Sequence, residues 1–345
     1  MKRFLEFLKK RKIVVIAVAI IVALAILWSC LGALVFTRFS VGVVPDVDDL
    51  KNAVTYDRVL IFGVDGAGNY MSQVNTPNFD RIFAEGSINY KAWSQYPTTS
   101  AHNWTSMFHG VRYQKHGVNN LVAKNKKYSK TKYPSIFKVT AEKYPDAKML
   151  SAVAWLPINY GIIEDFDNMI KYSGPAKHPD DKLLTEEDVR MKDAFVSEIQ
   201  KGTDPKIAFM YFAQVDEYGH EMGRKSDEFY KSIERVDGYI GEVYDEYVAK
   251  GWNKNTLFIL VTDHGHRYLG GHGGNSKTER TTTIAVAGAK GNIIKGQPSG
   301  KAVTQDVASI VLYGLGIAQP ESWESKVPYG VFNTLPLTKE EKKKE

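Results

Sequence analysis

Cysteine is nearly missing from this 345-residue chain: Cys30 stands alone. A single cysteine excludes an intrachain disulfide and any zinc site built from several thiolates. Internal repeats and long low-complexity tracts are also lacking. Excess charge is scarce beyond the first dozen residues. The net charge of +6 sits mostly in residues 1–12, where Lys2, Arg3, Lys9, Lys10, Arg11 and Lys12 face only Glu6. The basic balance is therefore a property of the N-terminus, and no nucleic-acid-binding surface is inferred from it. What remains is an ordinary globular composition, 43% hydrophobic and 24% charged, with enough chain to bury a large core.

Charge is absent altogether from Ile13 to Phe36, a run of 24 residues. That length spans a bilayer core as one helix. The basic residues before it place the N-terminus in the cytoplasm and the rest of the chain outside. The run exceeds a usual signal core, and no small-x-small site closes it, so an uncleaved anchor ranks first. A lipoprotein attached at Cys30 of "LWSC" ranks second, and a cleaved signal third. The expected organisation is a cytoplasmic basic segment (1–12), a transmembrane signal anchor (13–36), a linker (37–56), one large domain (57–337) and a charged tail (338–345).

Within the large domain, strands and helices alternate. "RVLIFGVD" (58–65), "AKMLSAVAW" (147–155), "KIAFMYFAQVD" (206–216), "NTLFILVTD" (255–263) and "TTIAVAG" (282–288) are near-continuous apolar runs. Such runs suit a parallel sheet covered on both faces. Phe229, Ile233, Val236, Ile240, Val243 and Tyr247 repeat at spacings of three and four, which predicts a helix from Asp227 to about Ala249 with Ser226 as its N-cap. The fold class is therefore α/β, a doubly wound, mostly parallel sheet with helices on both faces, preceded by the N-terminal transmembrane helix.

Three of those strands run into aspartate: Asp65, Asp216 and Asp263. In such sheets ligands bind beyond the carboxyl ends of the strands. Histidines follow two of the acids, in "DEYGH" (Asp216, His220) and "DHGH" (Asp263, His264, His266), and "GGHGG" adds His272. Carboxylate with imidazole suits Zn²⁺ and tolerates Mn²⁺, whereas Mg²⁺ and Ca²⁺ want mainly oxygen. "GVDGAG" (63–68) is not a dinucleotide fingerprint, because Met71 stands where the third glycine belongs. In "YPTTSAHNWTSMFHG" (96–110), Ser100 to Phe108 reads as a short helix. Ser100 then stands at a helix N-terminus, where free N–H groups favour anions, although an N-cap alone has the same residue type.

"GVDG", "YPTTSAHNWTSMFHG", "DEYGH", "TDHGH" and "GGHGG", in this order, resemble the alkaline phosphatase superfamily. The most similar branches are the type I phosphodiesterases/nucleotide pyrophosphatases and the phosphoethanolamine transferases. The resemblance runs from about Arg58 to Gly316. It implies two divalent ions, most simply Zn²⁺ with Mn²⁺ as the alternative. Asp65, Asp263 and His264 hold one, and Asp216, His220 and His272 the other. It further implies Ser100 as a nucleophile touching both ions and Asn103 as a hydrogen-bond donor to a phosphoryl oxygen. Two such ions, about 4 Å apart, clamp the attacking and leaving oxygens of an in-line displacement. The implied activity is an extracytoplasmic phosphodiesterase working through a phosphoserine. Its substrate would be a nucleotide, a lipid headgroup or a cell-surface polymer.

Two departures bear on that reading. Only seven residues separate His264 from His272, where diesterases of this family carry a long insertion; this compact loop is closer to the phosphoethanolamine transferases. Those, however, carry many transmembrane helices. "SAHN" (100–103) replaces the common "TFPN", which makes His102 a candidate pocket group. The sulfatase motif is absent around Ser100. An inactive binding protein is a further alternative, which the complete ligand set opposes. Tyr218, His266 and Arg280 are candidate substrate contacts, and His116 reads as structural. Segments 112–135 and 155–185, rich in Lys, Tyr, Pro and Gly, are expected to cover the site.

Overall fold

The computed structural model describes residues 14–16, 18–24, 40–125, 132–175 and 180–336. The chain divides into two units, residues 1–38 and 39–345. In the first, residues 14–16 and 18–24 are helical and their large apolar side chains, among them Val15, Ile21 and Leu24, are exposed. Among the described residues no helix is long and apolar enough to cross a membrane. The rest of the expected span, with Cys30, lies outside the described residues, as does the charged tail.

The second unit is built on a seven-stranded sheet, ordered β3-β8-β7-β2-β6-β4-β5. The strands are β2 (Arg58–Val64), β3 (Ser87–Trp93), β4 (Lys148–Val153), β5 (Met169–Ser173), β6 (Pro205–Phe212), β7 (Thr256–Val261) and β8 (Thr281–Ala287). The central strands β6, β2 and β7 pair in parallel, and β4 and β5 continue that direction. Only β8 runs against the rest, antiparallel to both β7 and β3. Sequence reading found β8 but not its direction. It missed both edge strands, β3 and β5, because neither is a continuous apolar run: β3 alternates buried and part-exposed residues, and all of β5 is part-exposed. By contrast β2 and β7 are buried along their whole length.

Side chains on a strand alternate between faces, so each face of this sheet has its own helical cover. The principal helices are α1 (Pro77–Phe83), α2 (Ser100–His109), α3 (Ile136–Lys143), α4 (Thr185–Gln200), α5 (Gln214–Met222), α6 (Asp227–Ala249) and α7 (Val307–Gly314). On one face Tyr239 and Tyr244 of α6 meet Phe212 and Phe258. On the other, Trp104 of α2 packs against Phe209 and Tyr211. The doubly wound expectation therefore holds. Helix α6 begins and ends where the periodicity placed it, and the Ser226 hydroxyl accepts from Phe229 N at its start.

Residues 40–56, expected as a linker, carry structure. Gly42–Val43 (β1) pairs with Val327–Pro328 (β9), Asp46 caps a short helix over Val47–Lys51, and Tyr56 is buried.

Candidate active site

Strands β7, β2 and β6 lie side by side, and each leads into one of the three acids. Asp65 directly follows β2. Asp263 comes two residues after β7. Asp216 is not a strand end: β6 stops at Phe212, and Asp216 sits in the first turn of α5. Placing it on a helix puts His220, four residues on, on the same side. The buried carboxylate of Asp188 in α4 fixes the start of that helix, accepting from Ala213 N at 2.8 Å and Gln214 N at 3.0 Å.

The three acids and four histidines meet at one place. Histidine His264 Nε2 lies 3.4 Å from Asp65 Oδ1 and 3.2 Å from Asp263 Oδ2. Histidine His272 Nε2 lies 3.6 Å from Asp216 Oδ1 and 3.0 Å from His220 Nε2, and His220 Nε2 is 3.4 Å from Asp216 Oδ2. The His264 and His272 rings stack with centroids 3.7 Å apart. Two sets expected as ligand triads, Asp65/Asp263/His264 and Asp216/His220/His272, each bring their ligand atoms within 4.8 Å of one another.

The donor chemistry fits a bound cation. Buried polar atoms are normally hydrogen-bonded. Among the described residues Asp65 Oδ1, Asp216 Oδ1 and Asp263 Oδ2 are buried and outside the regular hydrogen bonds. Their sister oxygens on Asp65 and Asp263 are held: Asp65 Oδ2 accepts from Trp104 Nε1 and the Tyr211 hydroxyl, and Asp263 Oδ1 from Gly66 N and His264 N. Each carboxylate is thus oriented with one oxygen left over, the second-sphere arrangement that metal ligands use. Electrostatics agree. Burial pushes Asp65 up to about 8, with Asp216 adding to the rise. Burial also holds Asp263 well above the usual carboxylate range, with Asp65 and Asp216 adding to it. A divalent cation removes that conflict between like charges. Burial opposes the charged form of Asp216 as well, but His272, His220 and His266 outweigh it and hold that carboxyl low. Its hydrogen bond to Asp216 raises His220 to about 9, whereas burial lowers His264 and His272. Histidine His272 Nδ1 lies 2.7 Å from the Thr98 carbonyl, which fixes the proton there and frees Nε2.

Ser100 opens helix α2, as expected, and its Oγ is 3.3 Å from His264 Nε2. It lines a cleft of about 190 Å³ with Asp65, Asp216, His220 and His272. Thr98 ties the Ser100 loop to the His272 loop: its hydroxyl donates to the Gly274 carbonyl and accepts from Gly273 N.

Other sequence expectations land elsewhere. Asn103 does not face the cleft. It is fully buried; Oδ1 accepts from Gln95 N and Thr304 Oγ1, and Nδ2 donates to the Gln95, Pro97 and Thr99 carbonyls. Its amide shapes the turn before Ser100. Arg280 is also fully buried, bonded to the Ser94 carbonyl and Asn275 Oδ1, so it braces the loop and not a leaving group. The His102 ring packs edge-on against Tyr113, and burial lowers it to about 4, which keeps it neutral. Tyr218 lies under the Arg235 guanidinium. Histidine His116 is structural, as read, accepting from Val118 N through Nδ1.

Sequence reading missed Asn120, Lys124, Trp155, Tyr211 and Glu217, all of which line the cleft. Asn120 Oδ1 accepts from Ala101 N, and its Nδ2 donates to no group among the described residues. Asn120, Lys124 and Trp155 come from the two segments expected to cover the site. Burial raises Glu217 to about 7, with Asp216 adding to the shift.

A model of the type I phosphodiesterase / nucleotide pyrophosphatase family matches residues 59–269, more than half of the chain. Among curated proteins, GPI ethanolamine phosphate transferase 2 of Debaryomyces hansenii is 30% identical over 86 residues, 25% of this chain and 9% of its own. Human ectonucleotide pyrophosphatase/phosphodiesterase family member 1 is 31% identical over 68 residues, 20% of this chain and 7% of its own. The chain thus spans about a tenth or less of the relatives it matches. Among solved structures, inactive murine ectonucleotide pyrophosphatase/phosphodiesterase 5 in complex with AMP superposes with a TM-score of 0.60 at 15% identity, covering 77% of this chain and 97% of that one. A 2-O GAG sulfatase superposes with a TM-score of 0.59 at 12% identity, covering 77% and 72%. These structural matches show a shared fold.

Proposed function

The chain belongs to the type I phosphodiesterase / nucleotide pyrophosphatase family, within the alkaline phosphatase superfamily, and we propose that it is a two-metal phosphodiesterase acting through a phosphoserine at Ser100. One observation carries this reading: three buried carboxylate oxygens outside the regular hydrogen bonds converge with imidazole nitrogens beside the Ser100 hydroxyl.

Asp65, Asp263 and His264 would hold one divalent ion, and Asp216, His220 and His272 the other, with Zn²⁺ the best match to the donors and Mn²⁺ next. When bound, the ions supply Lewis acidity and charge neutralisation at the phosphoryl oxygens. The chain's own residues do the rest. Ser100 Oγ gives up its proton, which ends on the oxygen of the departing alcohol, and forms a bond to phosphorus while the ester bond to that alcohol breaks and the second ester stays. Water, or a second alcohol, then takes the ester-substituted phosphoryl group, the bond to Ser100 Oγ breaks, and a proton from that water or alcohol returns to Ser100. Ala101 N at the start of α2 is given to Asn120 Oδ1, so the helix start would act on the developing charge through its dipole. Asn120 Nδ2 takes the phosphoryl-oxygen role expected of Asn103. Lys124, Trp155 and Glu217 line the space around the departing group.

A second reading, transfer of phosphoethanolamine or a similar group to a lipid or glycan, is favoured by the seven-residue interval before His272 and by the ethanolamine phosphate transferases among the relatives. A single-pass anchor at 13–36 with an extracytoplasmic domain completes the proposal, supported by the exposed large apolar side chains among residues 14–16 and 18–24.

The test offers zinc-loaded protein a chromogenic phosphodiester and phosphomonoester, with and without an acceptor alcohol. Faster diester cleavage supports the diesterase. Faster monoester cleavage sinks it. Turnover only with the acceptor favours the transferase.

A further inference from the structure

The loop from His266 to His272 turns inward at one end and outward in its middle. His266 is fully buried, with Nε2 3.0 Å from Asp216 Oδ1, so it braces the site and is not the substrate contact expected of it. The chain then reverses in a tight turn: Gly270 N donates to the Arg267 carbonyl at 3.0 Å, and Arg267 N to the Gly271 carbonyl at 2.9 Å. Tyr268 and Leu269 form the tip. Turn tips favour glycine, proline, asparagine, aspartate or serine. This one instead presents a tyrosine that is 64% exposed and a leucine that is 86% exposed.

Among the described residues of the second unit, no large apolar side chain is more exposed than Leu269, and Leu121 follows at 70%. Both stand at the mouth of the cleft. The turn rests on the C-terminal end of α5, where a Cβ on Gly270 would lie 2.5 Å from the Gly219 carbonyl oxygen and 2.9 Å from that of His220. Met222, also exposed, ends that helix. These residues make one lip, beside His220 and His272 of the cleft. A second lip is the short helix Asn120–Asn125. Its Asn120 and Lys124 line the cleft, and its Leu121 is exposed. Gly161 approaches this helix so closely that a Cβ there would strike the Ala123 carbonyl, which sets the exposed Tyr160 beside it.

Scattered apolar side chains on a surface need no explanation. These are gathered on two lips of one polar cleft, and cations stand among them. The Arg224 guanidinium lies 5.8 Å from the centre of the Tyr268 ring, and Arg267 and Lys124 are exposed. A protein–protein interface has an apolar centre and a polar rim. Here the centre is polar and the rim apolar, the reverse arrangement. Separate apolar and aromatic tips flanked by cations suit the headgroup region of an anionic bilayer, which each tip enters on its own.

We propose that the two lips dock the cleft on an anionic lipid bilayer, so that the phosphate ester offered to Ser100 is that of a lipid headgroup in the membrane. The docking stands apart from the chemistry; the lipid ester as substrate rests on the phosphodiesterase reading above.

Cys30→Ser removes the chain's own thiol, so a fluorophore on an added Leu269→Cys reports one site. The full chain is incorporated into vesicles of phosphatidylcholine and phosphatidylserine, with and without a quencher carried on the lipid acyl chains. The control label sits on Val248→Cys, an exposed position in the last turn of α6, away from the carboxyl ends of the strands. Acyl-chain quenching is expected to be at least about twofold stronger at position 269 than at 248, and weaker in phosphatidylcholine alone. Equal quenching at the two positions, or none, overturns the proposal. So does energy transfer between labelled copies without acyl-chain quenching, which would mark an interface between copies of this chain. In a second arm, the double variant Tyr268→Ser/Leu269→Ser is expected to lose about tenfold or more of its turnover on a phosphodiester lipid in vesicles and to keep its turnover of a soluble chromogenic diester. Equal loss on both substrates, or on neither, overturns the proposal. A wild-type chain that shows the quenching difference but turns over neither substrate keeps the docking surface and overturns the phosphodiesterase reading.

Discussion

Ser100 and the two asparagines near it divide the labour of one short stretch. On the proposed mechanism the Ser100 hydroxyl accepts the phosphoryl group, so Ser100→Ala is expected to cut turnover by about three orders of magnitude or more while the protein stays folded. Asn103 and Asn120 are expected to separate. Asn103 uses both ends of its amide inside the protein, so Asn103→Ala should cost about 1–3 kcal/mol of stability by denaturant melts. Asn120 keeps Nδ2 for the cleft, so Asn120→Ala should lower turnover about tenfold or more with little loss of stability. Equal effects on both quantities in the two variants would contradict that separation.

Helix α5 shows what could and could not be read from the chain. The spacing in "DEYGH" identified Asp216 and His220 as partners, because four residues make one face. That they ride on a helix was hidden by the apolar run of β6, which in sequence reads on through "AQVD", whereas Asp188 caps Ala213 and Gln214 and starts a helix there. The six residues expected as ligands, which the structure brings together in two sets, stood out because each lies in a short polar motif after an apolar strand. Asn120, Lys124 and Trp155 were not, since no period or strand end marks them. Arg280 was misread because charge alone does not say whether an arginine faces a cleft or the Ser94 carbonyl. Asp188 itself carries a pH signature. Burial raises it to about 7, against the N–H groups it accepts from. A folded pKa above the unfolded one means the native state binds the extra proton. That contribution to stability is complete below the unfolded carboxylate range and is lost as pH rises through about 7. In metal-free protein, unfolding free energy measured from pH 4 to 8 should therefore fall more steeply in wild type than in Asp188→Asn. Parallel curves would contradict the assignment.

At the scale of the molecule, the sheet gathers three acids from its three central connections, and among the triad residues only His220, raised to about 9 by Asp216, offsets their charge in the metal-free protein. Folding around that cluster is opposed by its own charge, and metal binding should relieve it. Zn²⁺ at about a hundred times its dissociation constant is expected to add about 2.7 kcal/mol per independent site, seen as a higher Tm than in chelated protein. No shift on metal addition would contradict the fit of the site to a cation. The domain architecture was legible because buried central strands are continuous apolar runs, whereas the half-exposed edges β3 and β5 were not. The central claim is that this architecture delivers a phosphoryl group to Ser100 under metal control. Rapid quenching of the zinc-loaded chain with a phosphodiester substrate, followed by peptide mapping by mass spectrometry, tests it most directly. The account predicts Ser100 carrying the phosphoryl group with the substrate's remaining ester still attached, absent after chelation and restored by metal. Turnover without any ester-substituted phosphoryl group on Ser100, or labelling that persists after chelation, would contradict it.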